Sequence, residues 1–273
     1  MALPVIAWRT ILRNAGAVVS ASGTASEYAA SNVKDFRSFT LWKAAAVTSP
    51  QYIDVDLGVS GAVDADCLVV VNSNSVANAS NLKVYADTVT PPTNVVQASY
   101  APTSDAVEFK TFTAPGAKRY WRIEFNTGSP PFAAAPYAGV VMLGLKMSMP
   151  EYIGPDIDPF LYDVEAVTPR TVGGHALGVL LRGVPRRGSL RFGADAGLAR
   201  SFLTSDFNGF LTGRYLRHEP WCFQLDSGDS DFSPARWLRR PVGGAAPRQP
   251  VGGTYARFMV PLPVEEAMME AAL

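Results

Sequence analysis

The stretch QYIDVDLG, residues 51–58, decides the fold. Read with period two, Tyr52, Val55 and Leu57 are apolar while Gln51, Asp54 and Asp56 are polar, with Ile53 and Asp54 out of phase. It reads as a short strand closed by Gly58. Ten residues before it lies FRSFTLW (36–42), and sixty residues after it lies RYWRIEF (119–125). The same texture runs through the whole chain. Its 23 glycines and 21 prolines are scattered, so short apolar runs alternate with Gly, Pro, Asn, Ser and Asp clusters nearly everywhere. That is the pattern of many short strands. Strands are predicted at 52–57, 67–72, 81–86, 106–112, 119–125 and 139–147, then at 163–167, 176–182, 188–192, 223–226 and 254–260. Helix is predicted at AGLARSFLTSDFN (196–208), where Leu198, Phe202 and Leu203 fall at helical spacing, and at the C-terminal VEEAMMEAAL.

The chain has 273 residues, 48 % of them apolar, enough to bury a core in one large or two ordinary domains. Basic and acidic residues number 24 each, so bulk charge gives no reason to expect nucleic-acid sequence recognition or an anionic membrane. No apolar run approaches the ~20 residues of a membrane-spanning helix. Cys67 and Cys222 could pair, but two cysteines in a chain of this size read better as buried free thiols. The lysines all lie at or before Lys146, and the positive charges after it are all arginine. Between the two regimes sits MSMPEYIGPDIDPF, with Pro150, Pro155 and Pro159, a linker composition. The expected organisation is therefore a module over 1–148, a linker at 149–162, a second module over 163–262 and a tail at 263–273.

In the first module the order of features is VVSASGTASEYAASNVKDFRSFTLWKA, QYIDVDLG, CLVVVNSNS, NLKVYAD, RYWRIEFNTG and GVVMLGLKM. This resembles the discoidin family, the type C domain of coagulation factors, over roughly residues 15–148. The residues that carry the resemblance are Ser20-Ala21-Ser22, then Ala30, Asn32 and Asp35, Trp42, Asp56-Leu57-Gly58 and the strand Tyr120-Trp121-Arg122-Ile123. The resemblance implies a jelly-roll β-sandwich, with Leu57 inward, Trp42 capping the core and Arg122 facing away from it. Where the family has Asp-Gly, this chain has Asp35-Phe36, and the family's flanking cysteine pair is missing. The resemblance also implies a loop for a glycan or a partner, containing Phe36, Arg37, Phe39 and Trp42. Aromatic faces stack and arginine supplies forked hydrogen bonds. The competing reading of the same residues makes Phe39 and Trp42 core and leaves Arg37 solvated.

The second module leads through short strands and a helical segment into EPWCFQLD, ARWLRRP and TYARFMVPL. Over about 140–262 the layout is similar to the β-barrel module of phage distal-tail or baseplate proteins. The expected fold is thus all-β, a jelly-roll sandwich followed by a barrel-like module with one short helix. That resemblance implies a structural subunit of a tail tip, placed in the virion after synthesis in the host cytoplasm. Its partners would be other tail proteins, copies of itself and, through the sandwich, a host-surface glycan. The candidate subunit interface is Arg186, Arg187, Trp237, Arg239 and Arg240, with Asp226, Asp229 and Asp231 as acidic counterparts. The arginine pairs read equally as solvated surface. The alternative function is a carbohydrate-binding module without an assembly role.

Chemistry is sparse. His175 and His218 have no metal-ligand spacing around them, and no nucleophile elbow, phosphate loop or C-x-x-C pair occurs. The acidic run DSGDSD lacks the Glu that a calcium loop places at its twelfth position. No enzyme activity, metal or cofactor is expected.

Overall fold

The structure is a computed structural model. It describes residues 3–150, 164–167, 180–183, 187–192, 198–225, 235–241, 257–258 and 260–267. The chain forms two compact units. One holds the described residues up to Met149 together with 221–225 and 235–237. The other holds those of 150–220 and 238–268.

In the first unit the strands are β1 (Val5–Ala7), β2 (Val18–Ala21), β3 (Trp42–Lys43), β4 (Gln51–Asp56), β5 (Cys67–Ser73), β6 (Ser80–Asp87), β7 (Val95–Tyr100), β8 (Val107–Thr111), β9 (Tyr120–Thr127), β10 (Tyr137–Gly144) and β11 (Lys146–Ser148). Two antiparallel sheets, β2-β4-β9-β6-β7 and β3-β10-β5-β8, enclose one apolar core. The fold is all-β and this unit is a sandwich. Strand β4 shows why. Gln51, Ile53, Val55 and Leu57 are buried, while Tyr52, Asp54 and Asp56 face outward. The period-two phase is therefore unbroken, where the sequence reading has it broken at Ile53 and Asp54, and Tyr52 belongs to the outer face. Its ring lies under the Arg122 guanidinium, 3.8 Å from the ring centroid. Arg122 faces outward as expected and forks onto Asp54, at 2.6 and 2.8 Å. Arg119 does the same to Asp56. The first of these joins neighbouring strands, since Asp54 lies opposite Arg122 in the β4–β9 register.

Strands β5 and β10 bury both faces, which explains their unbroken apolar runs, LVVV and VVML. Leu68, Val70, Val141 and Leu143 point into the sandwich core. The thiol of Cys67 is on the other side and donates to the Gly144 carbonyl at 3.2 Å. Both cysteines are free and buried, and burial pushes both thiols well up from their ordinary range. The strand predicted at 223–226 forms at Trp221–Gln224, and it was expected with the C-terminal module. It pairs instead with β1, Ala7 opposite Cys222, and so completes the first unit. The pairing strand VIA, at residues 5–7, is too short to show a period, which hid this partner.

In the second unit, β12 (Val164–Val167) pairs with β13 (Leu180–Gly183), and β15 (Leu198–Ala199) precedes two short helices, α1 (Arg200–Thr204) and α2 (Asp206–Gly213). The single helix expected over 196–208 is broken at Ser205, whose φ of −100° and ψ of −108° leave the helical region. Phe207, Phe210 and Leu211 of α2 are buried, and Phe207 packs on Phe192 and Phe202 at centroid distances of 6.3 and 5.8 Å. Labelling Trp221–Gln224 as β16, the later strands are β17 (Arg236–Arg239), β18 (Arg257–Phe258) and β19 (Val260–Glu266). Strand β19 pairs along β14 (Arg187–Phe192), with Leu262 opposite Leu190. Of the C-terminal helix predicted from VEEAMMEAAL, the first residues are strand through Glu266, and residues 268–273 lie outside the described residues. Leu262 and Val264, two apart, both face inward, and their burial overrides the helix propensity of the glutamates. The sheets of this unit stay open, and no closed barrel forms among the described residues.

Candidate functional site

The two ends of the sandwich differ. At one end, the near end, the connections are 22–41, 44–50, 74–79, 101–106 and 128–136. At the far end they are 57–66, 88–94 and 112–119. The far end, with the turn before β2, uses glycine for left-handed backbone: Gly16, Gly58 and Gly116 have φ of 84°, 79° and 79°. The near end uses other residues. Glu27, Phe36, Asn72 and Ala79 have φ of 72°, 64°, 54° and 49°. A side chain in this region costs about 1–2 kcal/mol, less for asparagine. Such strain persists only where surrounding contacts hold it.

Those contacts are specific. Phe36 takes the left-handed turn position that glycine fills in the discoidin pattern, so the turn forms without glycine. Asp35 secures it: one carboxylate oxygen accepts the Arg37 N–H at 2.8 Å, the other the Thr40 hydroxyl at 2.6 Å. The Phe36 ring is buried against Trp237, 6.2 Å between centroids, with the Arg13 guanidinium 4.8 Å from its centroid. The Ser38 carbonyl accepts from the Asn72 side chain at 2.6 Å, which ties the loop to β5. Trp42 is fully buried, packs on Phe125 at 5.5 Å, and donates its indole N–H to the Gly23 carbonyl at 3.2 Å. Trp42 is therefore core, as the capping role implied, and offers no stacking face.

The neighbouring loops are clamped likewise. The Asn74 side chain bonds Ala135 and Tyr137, and that of Asn78 bonds Ala134 in both directions, at 2.8 and 2.9 Å. Asp105 accepts the N–H groups of Val76 and Ala77. Thr103 of the same connection donates from its N–H, at 2.8 Å, and its hydroxyl to Glu108, a buried carboxylate whose pKa burial raises. The sequence reading missed Asn74, Asn78 and Asp105. The asparagines in NSNSVAN after an apolar strand were the available signal, because Asn and Asp side chains commonly cap loop backbone.

From this braced scaffold two aromatic rings project. Tyr28 is 38 % exposed and Phe39 57 %. They are the aromatic members among the exposed large apolar side chains of the described residues; the far end shows only valines, such as Val59 and Val89. Tyr28 carries the Lys43 ammonium 5.8 Å from its ring centroid. Arg37 is exposed beside Phe39. Of the four loop residues singled out from sequence, then, the structure presents Arg37 and Phe39 to solvent and buries Phe36 and Trp42.

The proposed subunit interface is largely used within the chain. Trp237 is buried on Phe36. Arg239 donates to Glu265 at 2.9 Å, a carboxylate that is itself buried. Arg240 lies over the Tyr215 ring. Asp226, Asp229, Asp231, Arg186 and His175 lie outside the described residues, and Arg187 is described in its backbone alone. His218 caps a short turn and contacts the Arg240 carbonyl at 3.2 Å.

No protein-family model and no curated protein matches the chain. Solved structures do. One is chitosan-binding module 1 of a chitosanase/glucanase from Paenibacillus sp. IK-5, at 20 % identity and TM-score 0.40, covering 50 % of this chain and 98 % of the module. Another is the family 32 carbohydrate-binding module of NanJ from C. perfringens in complex with galactose, at 18 % identity and TM-score 0.38, covering 48 % of this chain and 94 % of that one. A third is a GH29 fucosidase from Ruminococcus gnavus, at 17 % identity and TM-score 0.41, of which 27 % is covered, by 51 % of this chain.

Proposed function

We propose that the N-terminal sandwich is a non-catalytic carbohydrate-binding module whose ligand sits on the near-end loops. The observation that carries this reading is Phe39, 57 % exposed between two pinned neighbours, Ser38, held by Asn72 of β5, and Thr40, held by Asp35. Exposing a phenyl ring forgoes about 2 kcal/mol of burial. Holding it rigid removes the ordering cost a flexible ring would bring to binding. A flat apolar ring with polar groups around it suits the C–H face of a pyranose, whose hydroxyls remain solvated or bonded at the rim. Tyr28 offers a second ring from the adjoining segment.

Assembly as a ring-forming tail-tip subunit is the weaker reading. Its intended contacts, Trp237, Arg239 and Arg240, are engaged inside the chain. The discriminating experiment is a glycan array with the full chain and with Phe39→Ala. Binding to a defined set of glycans, lost in the variant, supports the module. A chain that binds no glycan but sediments as a closed ring overturns it.

A further inference from the structure

We infer that the near-end site takes an acidic saccharide, with Arg37 reading its carboxylate while Phe39 stacks on the sugar ring; this rests on the carbohydrate-binding reading above. Most cations of the first unit are already engaged. Arg119 and Arg122 fork onto Asp56 and Asp54, and Lys146 pairs with Asp66. Arg9 lies over Trp8 and Arg13 over Phe36. Lys83, Lys110 and Lys43 lie over Tyr85, Tyr100 and Tyr28. Arg236 is also engaged. Arg37 differs: among the described residues no carboxylate and no ring lies against its guanidinium.

Its position makes that significant. The backbone N–H of Arg37 is bonded to Asp35, so the residue is anchored while its side chain is not. Asp35, the carboxylate on the same loop, already has both oxygens occupied, by the Arg37 N–H and the Thr40 hydroxyl. Phe39 follows two residues later, which places the two Cα atoms within ~7 Å, about the width of one pyranose ring and its exocyclic carboxylate. A guanidinium forks bidentately onto a carboxylate, and charge-assisted hydrogen bonds are stronger than neutral ones. A neutral hexose would use the ring and leave the fork idle. A cationic amino sugar would be repelled.

The test compares tetragalacturonate with its full methyl ester, which keeps the sugar rings and removes the charge. Both are titrated calorimetrically into the full chain, Arg37→Gln, Arg37→Lys and Phe39→Ala, with a thermal melt to confirm that each variant is folded. The expected result is tighter binding of the acid than of the ester. Arg37→Gln should weaken the acid about 10–100-fold, the worth of a hydrogen bond to a charged group, and leave the ester unchanged. Arg37→Lys should recover part of the loss, and Phe39→Ala should weaken both ligands. Equal binding of acid and ester overturns the acidic preference but not the module. A preference for the acid that survives Arg37→Gln overturns the role of Arg37. Failure of both to bind, while neutral or amino-sugar oligosaccharides bind, overturns the inference alone; failure of all three classes overturns the module as well.

Discussion

Replacing Trp42 by alanine separates the two readings of the near-end loop. The indole is fully buried, packs on Phe125 at 5.5 Å and sits in a cluster with Val33, Ala44 and Ile53. Truncating a buried tryptophan costs about 3–5 kcal/mol, transfer and cavity together. The lost indole hydrogen bond leaves the Gly23 carbonyl without that donor, a further ~1 kcal/mol. The expected total is about 4–6 kcal/mol, a large share of the ~5–15 kcal/mol that stabilises a domain. At roughly 2–4 °C per kcal/mol for a unit of this size, the melt should fall by about 10–20 °C. Urea titration followed by tryptophan fluorescence measures it. Phe39→Ala, three positions earlier in the same loop, should change stability by less than ~0.5 kcal/mol. A cost below ~1 kcal/mol for Trp42→Ala, or above ~2 kcal/mol for Phe39→Ala, would refute the division of the loop into a buried anchor and an exposed ring.

Three other outcomes follow from named contacts. Burial raises the pKa of Glu108, so the folded state holds its proton at a pH where the unfolded chain has released it. Stability therefore declines as pH rises from about 4.5 through the folded value, and Glu108→Gln, measured by urea titration across pH 4–8, should flatten that slope without destabilising the protein at pH 7. Asp56, whose pKa the Arg119 fork lowers, works the other way: its contribution is present above the ordinary aspartate range and fades as pH falls through the lowered value. Because the pair is solvated, Asp56→Asn should cost no more than ~1 kcal/mol at neutral pH. Truncation after residue 150 removes β16, so amide hydrogen exchange in β1 should accelerate; unchanged protection would contradict the Ala7–Cys222 pairing.

Much of the sandwich was legible because its strands alternate: the burial of β4, β6 and β9 follows the sequence with period two. The apparent break in the phase of β4 came from Tyr52, whose aromatic ring counts with the apolar set until Arg122 is seen to cover it on the outer face. Short strands without a period, Val5–Ala7 and Val18–Ala21, were invisible, and with them the pairing that draws Trp221–Gln224 into the first unit. At the site, the loop was named from the discoidin resemblance, which its aromatic rings and arginine suited. Which ring is exposed was not readable, because it depends on the positive φ of Phe36 turning that side chain onto Trp237, far away in sequence. The asparagine clamps at 74 and 78 lay in a stretch that read only as turn.

Ligand is proposed to bind at the near end of the sandwich. That placement is tested most directly by amide chemical-shift mapping during titration with a glycan that the array selects. Shifts should concentrate at Tyr28, Arg37–Thr40 and the adjoining residues 44–50 and 74–79, with the far-end loops at 57–66 and 88–94 unmoved. Shifts centred on the far end, or on the outer face around Tyr52, Arg122 and Tyr85, would contradict it.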